Sequence, residues 1–225
     1  HLAAPDQGHI LSSAIVATQI PVAVGAAFAN LRLATGRTAV AFFGDGAADA
    51  GVFWESLNSA ALFRLPMLFV CEDNDYAVDT PRAARQVAGS LVEAAKPFGV
   101  DTYEDQSGDV ESVYCLAREA VAKAQRDRRP AFLNIKCCRY LEHVGIGTDW
   151  SWGYRDQATV ERDWIARDAL KVQRARLASH QVGESAIATM EQEIETAIQA
   201  SVQRASQAPI PTPDRLHAGV FHAKA

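Results

Sequence analysis

The sequence is poor in several features that would each have pointed to a class of protein. It has only four cysteines in 225 residues, Cys71, Cys115, Cys137 and Cys138. None is in C-x-x-C spacing, so neither a disulfide framework nor a zinc site is expected, and a reducing, cytoplasmic compartment fits best. No apolar run approaches the ~20 residues that cross a bilayer. The longest, Ile20 to Ala29, is far shorter and follows no basic segment, so no membrane span or signal peptide is expected. Basic residues are in deficit, 22 Lys+Arg against 27 Asp+Glu for a net charge of −5, which argues against non-specific binding to nucleic acid. The glycines form neither a P-loop, since no GKS or GKT follows them, nor the G-x-G-x-x-G of a dinucleotide site. No repeat of solenoid period is present.

What remains is a globular composition, 48% apolar and 22% charged. A chain of this size buries roughly 70% of its unfolded surface, enough for one or two cores without staples. Residues 1–18 mix Gly, Pro and Ser with Ile10, Leu11, Ile15 and Val16 and read as a loop with a few buried anchors. Gln19 to Leu33 carries small and apolar residues with almost no charge, which predicts a helix buried on most sides, with Pro21 in its first turn. Thr38 to Phe43 and Met67 to Cys71 are short apolar runs that predict strands buried on both faces, and Val52 to Leu65 between them has helical spacing. A third run, Ala131 to Cys137, follows a helical pattern over Val110 to Gln125. The alternation predicts an α/β domain with a mostly parallel sheet flanked by helices and joined by right-handed crossovers. Residues 142–155 are rich in Gly, Trp and Tyr and read as an ordered loop or linker. Thr159 to Ala205 turns helical, and the Pro-rich stretch at 209–213 cannot continue a helix. The expected division is therefore an α/β domain over 1–155 and a helical C-terminal extension over 156–225.

In an open α/β sheet, ligands sit where loops leave the carboxyl ends of strands. Asp45 follows the first strand and Asn74 the second, 29 residues later, so neighbouring strands would bring them together. A carboxylate and an amide oxygen, joined by a backbone carbonyl, make the sparse all-oxygen set that Mg²⁺ takes when phosphates and waters complete its shell. Gly44 and Gly46 let the chain turn tightly beside an anion, and the following helix offers free N–H groups. Taken alone, Gly-Asp-Gly also makes ordinary turns.

Three segments together are far more specific: Gly44-Asp-Gly-Ala-Ala-Asp-Ala-Gly51, Glu55-Ser-Leu-Asn-Ser-Ala-Ala-Leu62 and Leu65-Pro-Met-Leu-Phe-Val-Cys-Glu-Asp-Asn-Asp-Tyr76. They resemble the thiamine diphosphate signature of the E1 α subunits of 2-oxo acid dehydrogenases acting on pyruvate, acetoin or branched-chain substrates. The resemblance implies that Asp45 and Asn74 bind Mg²⁺ through side-chain oxygens and Tyr76 through its carbonyl. It implies that Gly46 and Ala47, beside Gly44, offer N–H groups to the diphosphate. Ala14-Ile15-Val16 matches a stretch that contacts the thiamine ring system, and His1-Leu2 resembles the end of a Gly-Ser-Met-His segment. On this resemblance the N-terminal part of a usual α subunit lies outside these residues. Arg139-Tyr-Leu-Glu-His143 resembles the segment before the family's regulatory loop, which makes Arg139 and His143 cofactor-site residues and His143 the candidate catalytic group.

The sequence departs from the family in places. Asp49 and Asp73 replace Asn beside the metal, Ala77 stands where Gly is common, and Leu141 and Glu142 replace smaller or His residues. Val144 occupies the place of a phosphorylatable Ser, so control at that site is not expected. The other histidines, His1, His9, His180, His217 and His222, have weaker cases. Trp150, Trp152 and Tyr154 are candidates for a wall or lid but more simply pack. Cys137-Cys138 reads as core, and Arg126 to Arg129 as a solvated helix end.

The resemblance implies decarboxylation of a small 2-oxo acid and transfer of the acyl group to a lipoyl-domain E2 or a related acceptor. It also implies an α₂β₂ assembly in which a β subunit supplies the pyrimidine-binding half and an activating Glu. Two other readings stand beside it. One is a non-oxidative thiamine diphosphate enzyme, such as a split transketolase or an acyloin-forming lyase; the other is a non-catalytic interaction subunit of the same fold.

Overall fold

The computed structural model describes residues 1–213, which divide into two compact units, one over 1–172 and one beginning at Gln173. The first unit is built on a four-stranded sheet in the order β3-β4-β8-β7 (Ala39–Gly44, Met67–Asp73, Ala131–Lys136 and Asp101–Asp105), with every neighbouring pair parallel. Helices α1 (Gln19–Arg32) and α2 (Gly51–Leu62), with the short α3 (Leu91–Ala95), pack on one face. α4 (Val110–Asp127) packs on the other, against β4, β7 and β8. The expected α/β architecture is therefore present.

The main core lies on the first face, where Phe53 is fully buried among the rings of Phe43, Trp54, Phe69 and Phe132. Leu68, Val70, Leu133 and Ala120 form a smaller cluster under α4. β4 is central and, except at Glu72, buried along its length, as its apolar run predicts. β3 corrects the expectation of burial on both faces. Ala39, Ala41 and Phe43 point into the core, while Val40 and Phe42 are exposed. β3 is an edge strand, and the main contacts of α4 are with β4, β7 and β8. α1 is likewise less enclosed than its lack of charge predicts. Ile20, Ala23 and Ala27 are buried on one stripe, but Val22 and Phe28 are exposed.

Residues 1–18 are not a loop with buried anchors. They form a small antiparallel hairpin, β1 (Leu2–Ala4) with β2 (His9–Ser12), and a turn in which Ile15 and Val16 remain exposed. β7 has no counterpart in the sequence reading, because Asp-Thr-Tyr-Glu-Asp is too polar to stand out as an apolar run. A second small hairpin, β5 (Tyr76–Ala77) with β6 (Thr80–Pro81), follows β4 and belongs to the site. The helical pattern after 156 resolves into α5 (Gln157–Asp163) in the first unit and α6 (Ala169–Ser179), which runs across the division. α7 (Glu184–Gln207) lies in the second unit and ends before the proline stretch. Among the described residues no helix is long and apolar enough to cross a membrane. His217 and His222 lie outside the described residues.

Candidate active site

The carboxyl ends of β3 and β4 are in register, Gly44 opposite Glu72, so the chain leaves both strands side by side. After β3 it enters a 3₁₀ turn, Asp45–Asp49, that leads into α2. After β4 it enters the turn and β5–β6 hairpin. The two segments touch. A Cβ on Gly46 would stand 2.8 Å from the Cβ of Ala77, closer than side chains pack, so only glycine lets this approach occur.

Asp45 is completely buried. Its Oδ2 accepts a hydrogen bond from Arg85 Nη2 at 2.5 Å, whereas its Oδ1 has no partner. Burial and the neighbouring Asp73 carboxylate push the Asp45 carboxyl above its ordinary range, against the pull of Arg85. Asn74 Oδ1 accepts the Tyr76 N–H at 3.1 Å, closing the turn. An amide oxygen has two lone pairs, so this bond leaves it one acceptor direction. Positive φ angles at Asp75 (68°) and Val78 (57°) mark the same turn. The second is costly for a β-branched residue and needs the surroundings to hold it.

Asp49 and Asp73, which add negative charge relative to the resembled pattern, both have cationic partners. Asp73 is fully buried and receives Arg82 Nη1 at 3.2 Å, Lys136 Nζ at 3.1 Å and Asn134 Nδ2 at 3.1 Å. Arg82 and Lys136 also reach Asp75, at 3.1 and 2.6 Å. Asp49 pairs with Arg85 and accepts from Gln86 Nε2 at 2.6 Å. Four carboxylates thus face three cations around one turn. A carboxylate oxygen left bare at full burial is unfavourable unless a donor or cation meets it.

The residues therefore fit a divalent cation held against phosphate. Among the described residues no three His, Cys, Asp or Glu side chains gather as a metal cluster. Any cation here would rest on one carboxylate with amide and carbonyl oxygens, the donor set of Mg²⁺ rather than of zinc.

A second cluster holds the loop over 139–155 to this turn. Asp149 is fully buried and accepts from Arg139 Nη2 at 2.7 Å, from Arg155 Nη1 at 2.6 Å and from the Tyr154 hydroxyl. Arg139 Nη2 also donates to the Val78 carbonyl at 2.5 Å, and Arg155 Nη2 to the Asn74 carbonyl at 2.7 Å. The Arg155 guanidinium lies 4.5 Å over the Tyr76 ring, which packs 5.6 Å from Tyr154. His143 is exposed, and its Nδ1 lies 3.2 Å from Arg139 Nη1. It is thus joined through Arg139 to the turn that carries Val78. Trp152 is exposed, its indole N–H bonded to Glu142.

Of the sequence-predicted residues, Gly44, Asp45, Gly46, Ala47, Asn74 and Tyr76 lie on the two converging segments, and Arg139 and His143 on the loop beside them. Ala14 and Val16 are exposed on the turn before α1, which meets the end of β3 where Gln19 Nε2 donates to the Phe42 carbonyl at 3.2 Å. Sequence reasoning missed Arg82, Arg85, Asp149 and Arg155. Lone charges inside the Gly- and Trp-rich stretch 142–155 were the available signal for the last two.

Residues 2–214 match the family model described as the dehydrogenase E1 component. The α subunit of acetoin:2,6-dichlorophenolindophenol oxidoreductase from Cupriavidus necator is 31% identical over 98% of this chain and 66% of its own length. The pyruvate dehydrogenase E1 component α subunit of Zymomonas mobilis is 28% identical over 100% of this chain and 62% of its own. The chain thus spans somewhat less than two thirds of these relatives. A solved structure of a thiamin diphosphate-dependent enzyme from Mycobacterium smegmatis aligns with TM-score 0.42 and 24% identity, over 53% of this chain and 22% of that one.

Proposed function

The chain belongs to the dehydrogenase E1 component family, and from that premise we propose that it is an α-type chain holding the diphosphate end of thiamine diphosphate with Mg²⁺. The enzyme it serves decarboxylates a small 2-oxo acid and passes the acyl group to a lipoyl-domain E2 or a related acceptor. The observation that carries the reading is the fully buried Asp45 with a bare Oδ1, beside a turn that only Gly46 allows to approach.

When bound, thiamine diphosphate supplies the carbon nucleophile and the electron sink for decarboxylation. The chain's own residues hold and orient. Asp45, Asn74 and the Tyr76 carbonyl would take the cation, and the N–H groups of Gly46 and Ala47 would face the diphosphate. Arg139, tethered by Asp149, fixes the loop that carries His143. An exposed imidazole on a tethered loop is suited to orienting an acyl acceptor and handing it a proton. Activation of the cofactor falls to a β partner with the pyrimidine half and its Glu, in an α₂β₂ assembly in the cytoplasm. Residues 1–155 serve the cofactor, and 156–225 are read as a helical extension.

The test is calorimetry of thiamine diphosphate binding to the chain assembled with its β-type partner, with Mg²⁺ and with chelator. Binding should require the metal, and Asp45→Ala should lose at least about a hundredfold in affinity, since the anionic ligand of the cation is gone. Unchanged affinity in Asp45→Ala would retire the metal assignment. His143→Ala should bind cofactor normally but reduce lipoamide more slowly. Pyruvate, branched-chain 2-oxo acids and acetoin tried in turn would identify the substrate.

A further inference from the structure

The two oxygens of the Asp45 carboxyl have different surroundings. Oδ2 accepts from Arg85 Nη2 at 2.5 Å, while Oδ1 is buried without a partner and is the oxygen open to a cation. The terminal torsion of an aspartate side chain is soft and roughly two-fold. Burial alone does not choose which oxygen faces the site. The hydrogen bond on Oδ2 does.

Arg85 can enforce that choice because all three of its guanidinium nitrogens are committed. Nε donates to the Thr80 carbonyl at 3.2 Å, Nη1 to Asp49 Oδ2 and Nη2 to Asp45. Thr80 lies in β6, whereas Asp45 and Asp49 are the two ends of the 3₁₀ turn after β3. The Arg85 side chain is only 11% exposed. Gln86 adds two bonds between the same segments, donating to Asp49 Oδ1 at 2.6 Å and to the Asp45 carbonyl at 3.4 Å. At the other end, the Arg82 N–H donates to the Asp75 carbonyl at 2.7 Å, between Asn74 and Tyr76. Residues 80–86 therefore tie the turn that carries Asn74 and Tyr76 to the carboxyl of Asp45. A planar fork held at three corners fixes angle as well as position, which an ammonium group does not.

We propose that Arg85 is a positioning residue of the cation site: it holds Asp45 Oδ2 so that Oδ1 is presented at a fixed place relative to Asn74 Oδ1 and the Tyr76 carbonyl. Asp49 acts through Arg85 and needs no contact with the cation. This rests on the reading of Asp45, Asn74 and Tyr76 as cation ligands. Positioning matters unequally to different ions. Mg²⁺ demands near-octahedral geometry at about 2.0–2.1 Å, whereas Ca²⁺ accepts flexible arrangements of oxygens at about 2.3–2.6 Å. An Asp45 carboxyl free to turn therefore harms Mg²⁺ binding more than Ca²⁺ binding, while a general loosening of the fold harms both alike.

The experiment is calorimetry of thiamine diphosphate binding, in Mg²⁺ and then in Ca²⁺, on the chain assembled with its β-type partner. Arg85→Gln should lose about a hundredfold in affinity with Mg²⁺, and on the order of tenfold less than that with Ca²⁺. Equal losses with the two ions would make Arg85 a plain structural support, and no loss with either would show Asp45 placed without it; both results overturn the proposal. Arg85→Lys keeps the charge but not the fork, and should show the same bias against Mg²⁺. A lysine variant without that bias also overturns the proposal, and it decides alone should Arg85→Gln not fold. Metal-independent cofactor binding by the parent is a different result, which removes the cation site itself and the proposal with it.

Discussion

Asp149→Asn tests whether the loop over 139–155 is held by buried charge. In the parent, one fully buried carboxylate serves Arg139, Arg155 and Tyr154, and the two guanidinium groups are themselves only 17% and 9% exposed. The amide keeps the shape and one acceptor oxygen but leaves two poorly solvated cations without a counter-charge. Removing one partner of a buried ion pair costs about 3–5 kcal/mol. The retained hydrogen bonding puts this variant at the lower end, about 3 kcal/mol. For a unit of this size that is a fall in melting temperature of about 6–12 °C. Tryptophan fluorescence during urea unfolding is the natural assay, because Trp54, Trp150, Trp152 and Trp164 all lie in the first unit. Arg139 and Arg155 also grip the carbonyls of Val78 and Asn74, so the same variant should weaken Mg²⁺-dependent cofactor binding. A variant within about 0.5 kcal/mol of the parent would refute the reasoning, since that is the scatter of neutral surface changes.

Phe53→Ala should cost about 3–5 kcal/mol in the same unfolding assay, because it empties the centre of an aromatic cluster with no room to collapse; a loss below ~1 kcal/mol would mean that the cluster repacks freely. Alkylation at pH 8 should separate the thiols. Cys115 is exposed and should react first, while Cys71 is fully buried. Burial, followed by the nearby Glu72, pushes the Cys137 thiol up to about 12. Its thiolate is then roughly one part in ten thousand at that pH, and modification of Cys137 as fast as Cys115 would contradict that environment.

The parts of the fold that the sequence reveals are those with local signatures. α2 and β4 stand out because apolar spacing is bounded by Gly51 and Pro66, and β8 because its apolar run follows the periodic α4. β7 and the hairpin of residues 1–12 stay hidden, since a polar edge strand buries too little for alternation to show. The exposure of Val40 and Phe42 was equally hidden, because an apolar run does not say whether a strand is central or at the edge. At the site, Asp45, Asn74 and Gly46 are legible because ligands gather where parallel strands end. Arg85 is not, because an ion pair spanning forty residues leaves no local pattern, and neither is Asp149, whose partners stand ten and six positions away in a loop without period. The two Asp-for-Asn departures at positions 49 and 73 were the visible half of compensated pairs. The cations answering them, Arg85 for one and Arg82 and Lys136 for the other, come from elements that only the fold brings near.

β3 pairs on one side only among the described residues, and its outward side chains include Phe42 at 60% exposure. Made without a companion chain, the polypeptide would offer a ready template for foreign strands to zip onto. Colloidal behaviour during purification should then depend on whether that flank is covered.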